Sequence, residues 1–175
     1  MQAALAFLTA LGRPAPPTAR ALPWFPVVGA ALGLILGAGW WLAAQVWPPL
    51  VAAALVVAAD LALTGLLHLD GLADTADGLL AHALDPARRL EIMAEPAIGA
   101  FGAGVTVVAL LLRTAALAVM PPAPLLMTAL WSLSRTAMAV AACALPYARP
   151  GGLASSFLGA TATPVALGGG GLALA

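Results

Sequence analysis

The feature that most constrains this chain is a set of apolar runs, each long enough to cross a lipid bilayer as one helix. The clearest run, 27–46, carries no charge and is followed by Trp47, Pro48 and Pro49. A membrane helix needs about 20 mostly apolar residues. The other runs are 50–67, 98–120, 125–145 and a Gly-rich partial run over 153–175. The chain is therefore predicted to be a polytopic transmembrane bundle with four to five spans.

Composition supports helices in lipid and excludes several other classes of protein. Hydrophobic residues make up 63% of the 175 and charged residues 8%, whereas soluble domains carry about 25% charged residues. The runs are near-continuous and rich in Ala and Leu, a pattern that does not fit alternating membrane strands. So low a charge excludes a nucleic-acid binder, and the single Cys143 excludes a disulfide framework. We predict one all-α membrane domain over 1–175, with a homo-oligomer left open.

The arginines predict the orientation of the spans, because positively charged loops tend to stay in the cytoplasm. With four crossings, five arginines fall on one side of the bilayer: Arg13, Arg20, Arg88, Arg89 and Arg149. The loops on the other side, 47–49 and 121–124, carry no charge. The N-terminus and the loop between the second and third spans are therefore predicted to be cytoplasmic.

That loop, 68–96, concentrates most of the acidic residues and is predicted to form an acidic helix pair. Asp70, Asp74 and Asp77 are four and three residues apart, so on a helix they fall within about 60° of one another. Glu91 and Glu95 repeat the four-residue spacing on the next helix. Like charges on one face repel, and carboxylate oxygens suit Mg²⁺ or Mn²⁺. These five residues are the predicted metal ligands, and a merely solvated loop is the alternative.

Two glycines directly follow aspartates in this segment and suggest which substrate group binds together with the metal. Gly71 and Gly78 remove side-chain bulk where a diphosphate could approach the helix. Mg²⁺ completes its coordination with substrate phosphates, and two such ions can clamp a phosphoryl displacement. We predict a metal–diphosphate site, in which both glycines contact the substrate. Asp85, before Pro86, is instead predicted to cap a helix N-terminus.

His68 has two possible roles in this site, and His82 is predicted to be a loop residue. The pKa of histidine suits a general base, which would make His68 catalytic. On a continuous helix, however, His68 points about 160° away from Asp70. A helix break near Gly65 or Gly71 would be needed to bring it round, so a positioning role is the alternative.

Charged and small residues inside the spans predict how the helices pack. Asp60 and Arg135 are at similar depth, and charges in lipid usually pair. We predict an Asp60–Arg135 pair, with Arg113 as a competing partner and phosphate binding as an alternative role for Arg135. Glycines spaced by four in the first span predict close helix packing in lipid: Gly29, Gly33 and Gly37.

The motif H-L-D-G-L-A-D-T-A-D-G-L over 68–79 resembles the signature of the cobalamin synthase family, the adenosylcobinamide-GDP ribazoletransferases. The likeness extends over essentially the whole chain. It includes F-P-V-V-G at 25–29, T-G at 64–65, R-L-E-I-M at 89–93, I-G-A-F-G at 98–102 and S-R at 134–135.

The resemblance implies a multi-pass enzyme of the bacterial inner membrane that acts in the last steps of cobalamin biosynthesis. Such an enzyme uses Mg²⁺, joins adenosylcobinamide-GDP to α-ribazole or its 5′-phosphate, and releases GMP. The ribazole 5′-hydroxyl would attack the corrinoid-linked phosphate, with Asp77 or His68 accepting its proton. The resemblance also implies that Asp70, Asp74 and Asp77 hold metal, that Glu95 stands where the family usually has Asp, and that Glu91 lies in the matching stretch.

The chain departs from the family pattern in two ways. Ala94 and Ala97 stand where family members often carry a basic residue, which implies that Arg88, Arg89 or Arg135 contacts the diphosphate instead. Family members are also longer and carry a Gly-Gly-Thr-Gly-Asp-like motif that is missing here, so we expect a C-terminally truncated chain. The alternatives are a CDP-alcohol phosphotransferase-like lipid enzyme, a membrane transporter and a non-catalytic subunit.

Overall fold

A computed structural model describes residues 1–82, 84–148 and 152–157, and all regular structure in these ranges is helical. The α-helices there are α1 (Gln2–Leu8), α2 (Phe25–Ala43), α3 (Pro49–Thr64), α4 (Leu67–Leu80), α5 (Pro86–Ile92), α6 (Ala100–Val119) and α7 (Pro124–Ala144). Short 3-10 helices cover Ala19–Trp24 and Leu153–Phe157. The all-α prediction is confirmed.

Each of the four full-length predicted spans overlaps one of these helices over most of its length. In the described part of the chain, three helical stretches are long and apolar enough to cross a membrane: Ala19–Ala43, Ala100–Val119 and Pro124–Ala144. The second predicted span, 50–67, overlaps the shorter α3, which reaches the required length only together with α4. Counting that bent pair as one span gives up to four crossings. Most of the predicted fifth span, 158–175, lies outside the described residues.

A sharp bend separates α3 from α4. The helix axis turns by 90° between Thr64 and Leu67. Gly65 and Leu66 have φ values of 59° and 62°, in the left-handed region that favours glycine. The bend therefore turns the acidic segment away from the direction of α3.

One compact unit comprises residues 1–48 and the described residues from 121 onward, and in it α2 packs on α7. The stripe of small residues on α2 makes this packing close. A Cβ atom at Gly29 would lie 2.5 Å from the carbonyl oxygen of Trp131, and one at Gly37 would lie 2.6 Å from the Cα of Pro124. The packing role predicted for Gly29, Gly33 and Gly37 is confirmed.

The other compact unit, 49–120, contains α3, α4, α5 and α6. Asp60 of α3 is buried, and one of its carboxylate oxygens lies 2.8 Å from the guanidinium of Arg113 on α6. The structure thus shows Asp60 paired with Arg113, the competing partner of the sequence prediction, because α3 and α6 pack together within this unit. Arg135 belongs to the other unit, so its pairing with Asp60 stays a prediction.

Candidate functional site

The three aspartates of the acidic motif lie on one helix, α4, and therefore form the predicted stripe. Asp70 is exposed, in the first turn of α4, whereas Asp74 and Asp77 are half-buried. Asp70 and Asp74 are one helical turn apart, a spacing that places their Cβ atoms about 5–6 Å from each other. Both can therefore contribute to one ligand site along the helix.

Asp77 is bound to the beginning of the next long helix. One of its oxygens accepts a hydrogen bond from the backbone N–H of Gly99 at 2.7 Å, and the other accepts from Gly102 at 2.8 Å. Gly99 is the N-cap of α6 and has no side chain with which to satisfy the free N–H groups of the first turn. The Asp77 carboxylate supplies that cap from a distant part of the chain.

Two glycines allow this close approach of α4 and α6. A Cβ atom at either Gly99 or Gly102 would collide with the Asp77 carboxylate. At Gly102 the added atom would also lie 2.8 Å from the backbone carbonyl oxygen of Ala73, which cannot rotate away as a side chain can. Sequence reasoning did not single out this pair, although the G-A-F-G spacing at the start of a span was a signal for it.

A cavity of about 200 Å³ lies between α4 and α6, at the Asp70 end of the stripe. Its lining residues are Leu66, Leu69, Asp70, Ala73, Ile98 and Thr106. The Thr106 hydroxyl is buried and makes no hydrogen bond within the described residues, whereas helical threonines often bond the carbonyl one turn back. Asp70 and Thr106 are thus the polar side chains of an otherwise apolar cavity.

The two glycines that were predicted to contact a diphosphate have different surroundings. A Cβ atom at Gly71 would meet no atom of the described residues within 4 Å, so the helix surface there is open to a ligand. At Gly78 the added atom would lie 2.6 Å from the side chain of Met93, which covers it. Packing against the segment after α5 explains Gly78, and its contact with substrate stays a prediction.

The predicted ligands on and after α5 pair with an arginine of the same segment. Arg88 lies 2.9 Å from Glu91 and 3.3 Å from Glu95, with all three side chains at least half exposed. The hydrogen bond to Glu91, with the charge of Glu95, raises the pKa of the Arg88 guanidinium above its ordinary value. Asp85 caps α5 by accepting from the Arg88 backbone N–H at 2.8 Å, as predicted.

The other two arginines predicted to bind substrate contact neighbouring groups of the chain. The Nε of Arg89 donates to the carbonyl oxygen of Leu84 at 3.1 Å. Arg135, on α7 in the other unit, is buried, and its guanidinium lies 6.0 Å from the centre of the Trp131 ring. Their contact with a diphosphate stays a prediction.

His68 remains on the side of α4 opposite the aspartates. Of the two places where a helix break would have brought His68 round, the chain breaks near Gly65 and continues as helix through Gly71. The break precedes His68, so His68 and Asp70 belong to the same continuous helix. Two residues apart, they point about 160° away from each other. His82 lies in the turn after α4 and is exposed, as expected for a loop residue.

Within the described ranges, no three His, Cys, Asp or Glu side chains lie close enough together to hold a metal ion. The five predicted metal ligands are instead distributed over three places. Asp70 and Asp74 follow one another on α4, Asp77 binds the start of α6, and Glu91 and Glu95 surround Arg88. Asp70 and Asp74 lie one turn apart on α4, next to the open helix surface at Gly71.

Comparison with known proteins identifies relatives over most of the chain. The model of the family described as Cobalamin-5-phosphate synthase matches residues 1–175. The adenosylcobinamide-GDP ribazoletransferase of Stutzerimonas stutzeri is 45% identical over 163 residues, which cover 86% of this chain and 64% of that protein. The protein of the same name from Desulfitobacterium hafniense is 41% identical over 169 residues, covering 88% and 65%.

A third ribazoletransferase, from Alkalilimnicola ehrlichii, is 43% identical over 171 residues, covering 91% of this chain and 66% of its own length. The chain therefore spans about two thirds of the length of these relatives. No solved structure matches it.

Proposed function

Because the chain belongs to the cobalamin-5-phosphate synthase family, we propose that it acts as an adenosylcobinamide-GDP ribazoletransferase that uses Mg²⁺. The observation that carries the proposal is the family match over all 175 residues, supported by relatives with that name at 41–45% identity. The acceptor would be α-ribazole or its 5′-phosphate, and the second product would be GMP.

The residues of α4 fit a magnesium ion bound together with a substrate diphosphate. Mg²⁺ is commonly held by one or two carboxylates, with water and substrate phosphates completing its shell. Asp70 and Asp74 supply two hard oxygen ligands one turn apart, and the surface at Gly71 between them is open. A site of this kind needs no third carboxylate from the protein.

The chemistry proposed is a displacement at phosphorus. A ribose hydroxyl that is free in both acceptor forms would attack the corrinoid-linked phosphorus: its oxygen forms a bond to that phosphorus, the bond from phosphorus to the bridging oxygen breaks, and GMP leaves with the bridging oxygen. Bound Mg²⁺ would neutralise charge on the diphosphate, the main resource in this class of reaction. Asp70 and Asp74 would hold the diphosphate through the ion, and Gly71 would let it approach the helix. The hydroxyl proton would pass to a basic side chain of the motif, for which the sequence offers His68 and Asp77.

The setting of α4 supports a reaction at the membrane surface. With α3 across the bilayer, the 90° bend would direct the acidic helix along the membrane surface, where a bulky amphiphilic corrinoid and a water-soluble nucleotide can meet. The arginine distribution supports placing this helix on the cytoplasmic side of a bacterial inner membrane.

A direct assay tests the proposal. Membranes containing the chain are incubated with adenosylcobinamide-GDP, α-ribazole and Mg²⁺, and GMP is measured by chromatography. Release of GMP that depends on all three components is expected. No release, under conditions in which the Stutzerimonas stutzeri relative is active, would refute the activity of this chain.

A single substitution tests the metal assignment in the same assay. Asp74→Asn is expected to lower Mg²⁺-dependent GMP release at least about a hundredfold, because an amide is a poor ligand for a hard cation. Asp85→Asn is the matched control, since Asn caps a helix N-terminus as well as Asp does. Full turnover by Asp74→Asn would remove Asp74 from the metal site.

A further inference from the structure

We infer that Asp77 is a positioning residue and not a metal ligand or proton acceptor. Both of its carboxylate oxygens accept backbone N–H groups at the start of α6, from Gly99 and Gly102. The inference rests on the proposed function only for its activity measurements. It separates Asp77 from Asp70 and Asp74, although the three residues occupy one stripe of the same helix.

The charge and the geometry of these bonds both favour the anchoring role. The N-terminus of a helix attracts an anion, because its first N–H groups have no partner within the helix. Gly102 is in the first turn of α6 and Gly99 is its N-cap, so the N–H groups that Asp77 binds are groups of this kind. A carboxylate held by two charge-assisted hydrogen bonds is restricted in orientation.

The contact fixes where α4 lies along α6. One turn before Asp77, the carbonyl oxygen of Ala73 lies close enough to Gly102 that no side chain fits between them. A further turn back, Asp70 shares the cavity of about 200 Å³ with Thr106 of α6. The two helices thus meet at three successive levels, and the Asp77 anchor at one end sets the surroundings of Asp70 at the other.

Hydrogen exchange tests the anchor without any assay of turnover. In Asp77→Ala, the amides of Gly99 and Gly102 are expected to exchange about tenfold faster or more, as for loss of a hydrogen bond to a charged group. Asp77→Asn should give a smaller increase, because its amide oxygen still accepts a bond. Asp70→Ala is the matched control and should leave both amides unchanged. Unchanged exchange in Asp77→Ala would overturn the inference.

The activity measurement then separates positioning from direct chemistry. Asp77→Asn is expected to keep GMP release within about tenfold of the wild type, whereas Asp74→Asn loses it. Asp77→Ala should raise the Mg²⁺ concentration that gives half-maximal GMP release. With Asp77→Asn, that concentration should return close to the wild-type value. An Asp77→Asn variant as inactive as Asp74→Asn, with its exchange protection intact, would make Asp77 a ligand or base and overturn the inference.

Two further outcomes are informative because they are independent of one another. Asp77→Ala could yield less active protein while the Mg²⁺ concentration for half-maximal GMP release stays unchanged. In that case Asp77 acts only in folding, and the positioning role is refuted. If the wild-type chain releases no GMP, the proposed function fails, while the exchange experiment still decides the anchor.

Gly102→Ala should raise exchange at the start of α6, whereas Gly104→Ala should not, because its added Cβ meets no described atom within 4 Å.

Discussion

At the scale of single residues, the structure assigns partners to charges that the spacing alone left ambiguous. Asp60 pairs with Arg113 inside its unit, and its side chain is only 8% exposed, against 35% for that of Arg113. Thr64, one turn along α3, bonds the backbone carbonyl of Asp60 at 2.7 Å. The ion pair joins α3 to α6 in a setting where an unpartnered charge is costly.

Breaking this pair from one side should cost more than removing it altogether. Arg113→Leu removes the guanidinium that lies 2.8 Å from the buried Asp60 carboxylate, and we expect a loss of about 3 kcal/mol in the free energy of unfolding. The double variant Asp60→Leu/Arg113→Leu should recover most of that loss. Unfolding of the purified protein in detergent measures both values, and equal losses in the two variants would argue against a structural ion pair.

At the scale of helices, small residues decide which elements can approach each other. On α2, a Cβ atom at Gly33 would clash with the backbone carbonyl of Met127 and lie 2.8 Å from the Cα of Thr128. Neither atom can rotate away, because both belong to the backbone of α7. The glycine spacing in the sequence therefore corresponds to a physical contact along one face of α2.

Substitution at this contact should separate packing from helix propensity. Gly33→Ala should destabilise the protein by about 1–3 kcal/mol through overpacking against α7. Gly39→Ala, on the same helix, should be neutral or slightly stabilising, because its Cβ meets no described atom within 4 Å and alanine favours helix. The two midpoints of unfolding in detergent provide the comparison. Equal effects would show that α2 and α7 do not pack through Gly33.

The bend between α3 and α4 gives a second prediction at this scale. Gly65→Ala should lower the free energy of unfolding by about 1 kcal/mol, because alanine is strained at a φ of 59°. Leu66→Gly should relieve the same kind of strain at 62° and cost nothing in the bend itself. A loss of stability in Leu66→Gly larger than in Gly65→Ala would mean that contacts of the Leu66 side chain, and not its backbone conformation, determine the bend.

At the scale of the whole molecule, the charge distribution predicts which loops face the cytoplasm. Two single-cysteine variants are made in a Cys143→Ala background. Ala87→Cys places the cysteine in the acidic loop 68–96, and Ala123→Cys places it in the uncharged loop before α7. An impermeant maleimide added to intact cells should label only the second, and both after the membrane is opened. Labelling of position 87 in intact cells would reverse the proposed orientation.

Much of the helical architecture could be predicted from the sequence, because lipid restricts the composition of the segments that cross it. Long apolar runs, the glycine stripe on α2 and the arginine asymmetry each follow from one local pattern, and the helices and the stripe are confirmed. The shortening of the second span at Thr64 was not predicted, since a Gly-Leu pair in an apolar run does not reveal a 90° turn.

The sequence by itself determined that this chain is helical, that it is suited to a membrane, and that three aspartates share one helical stripe, because these properties depend on neighbours along the chain. Only the tertiary structure decided what each aspartate contacts. Asp77 meets the start of α6 and Asp70 meets a cavity with Thr106, residues 22 to 36 positions away in the chain. Helical periodicity places side chains on a face, but which backbone lies opposite that face is decided by how the helices pack.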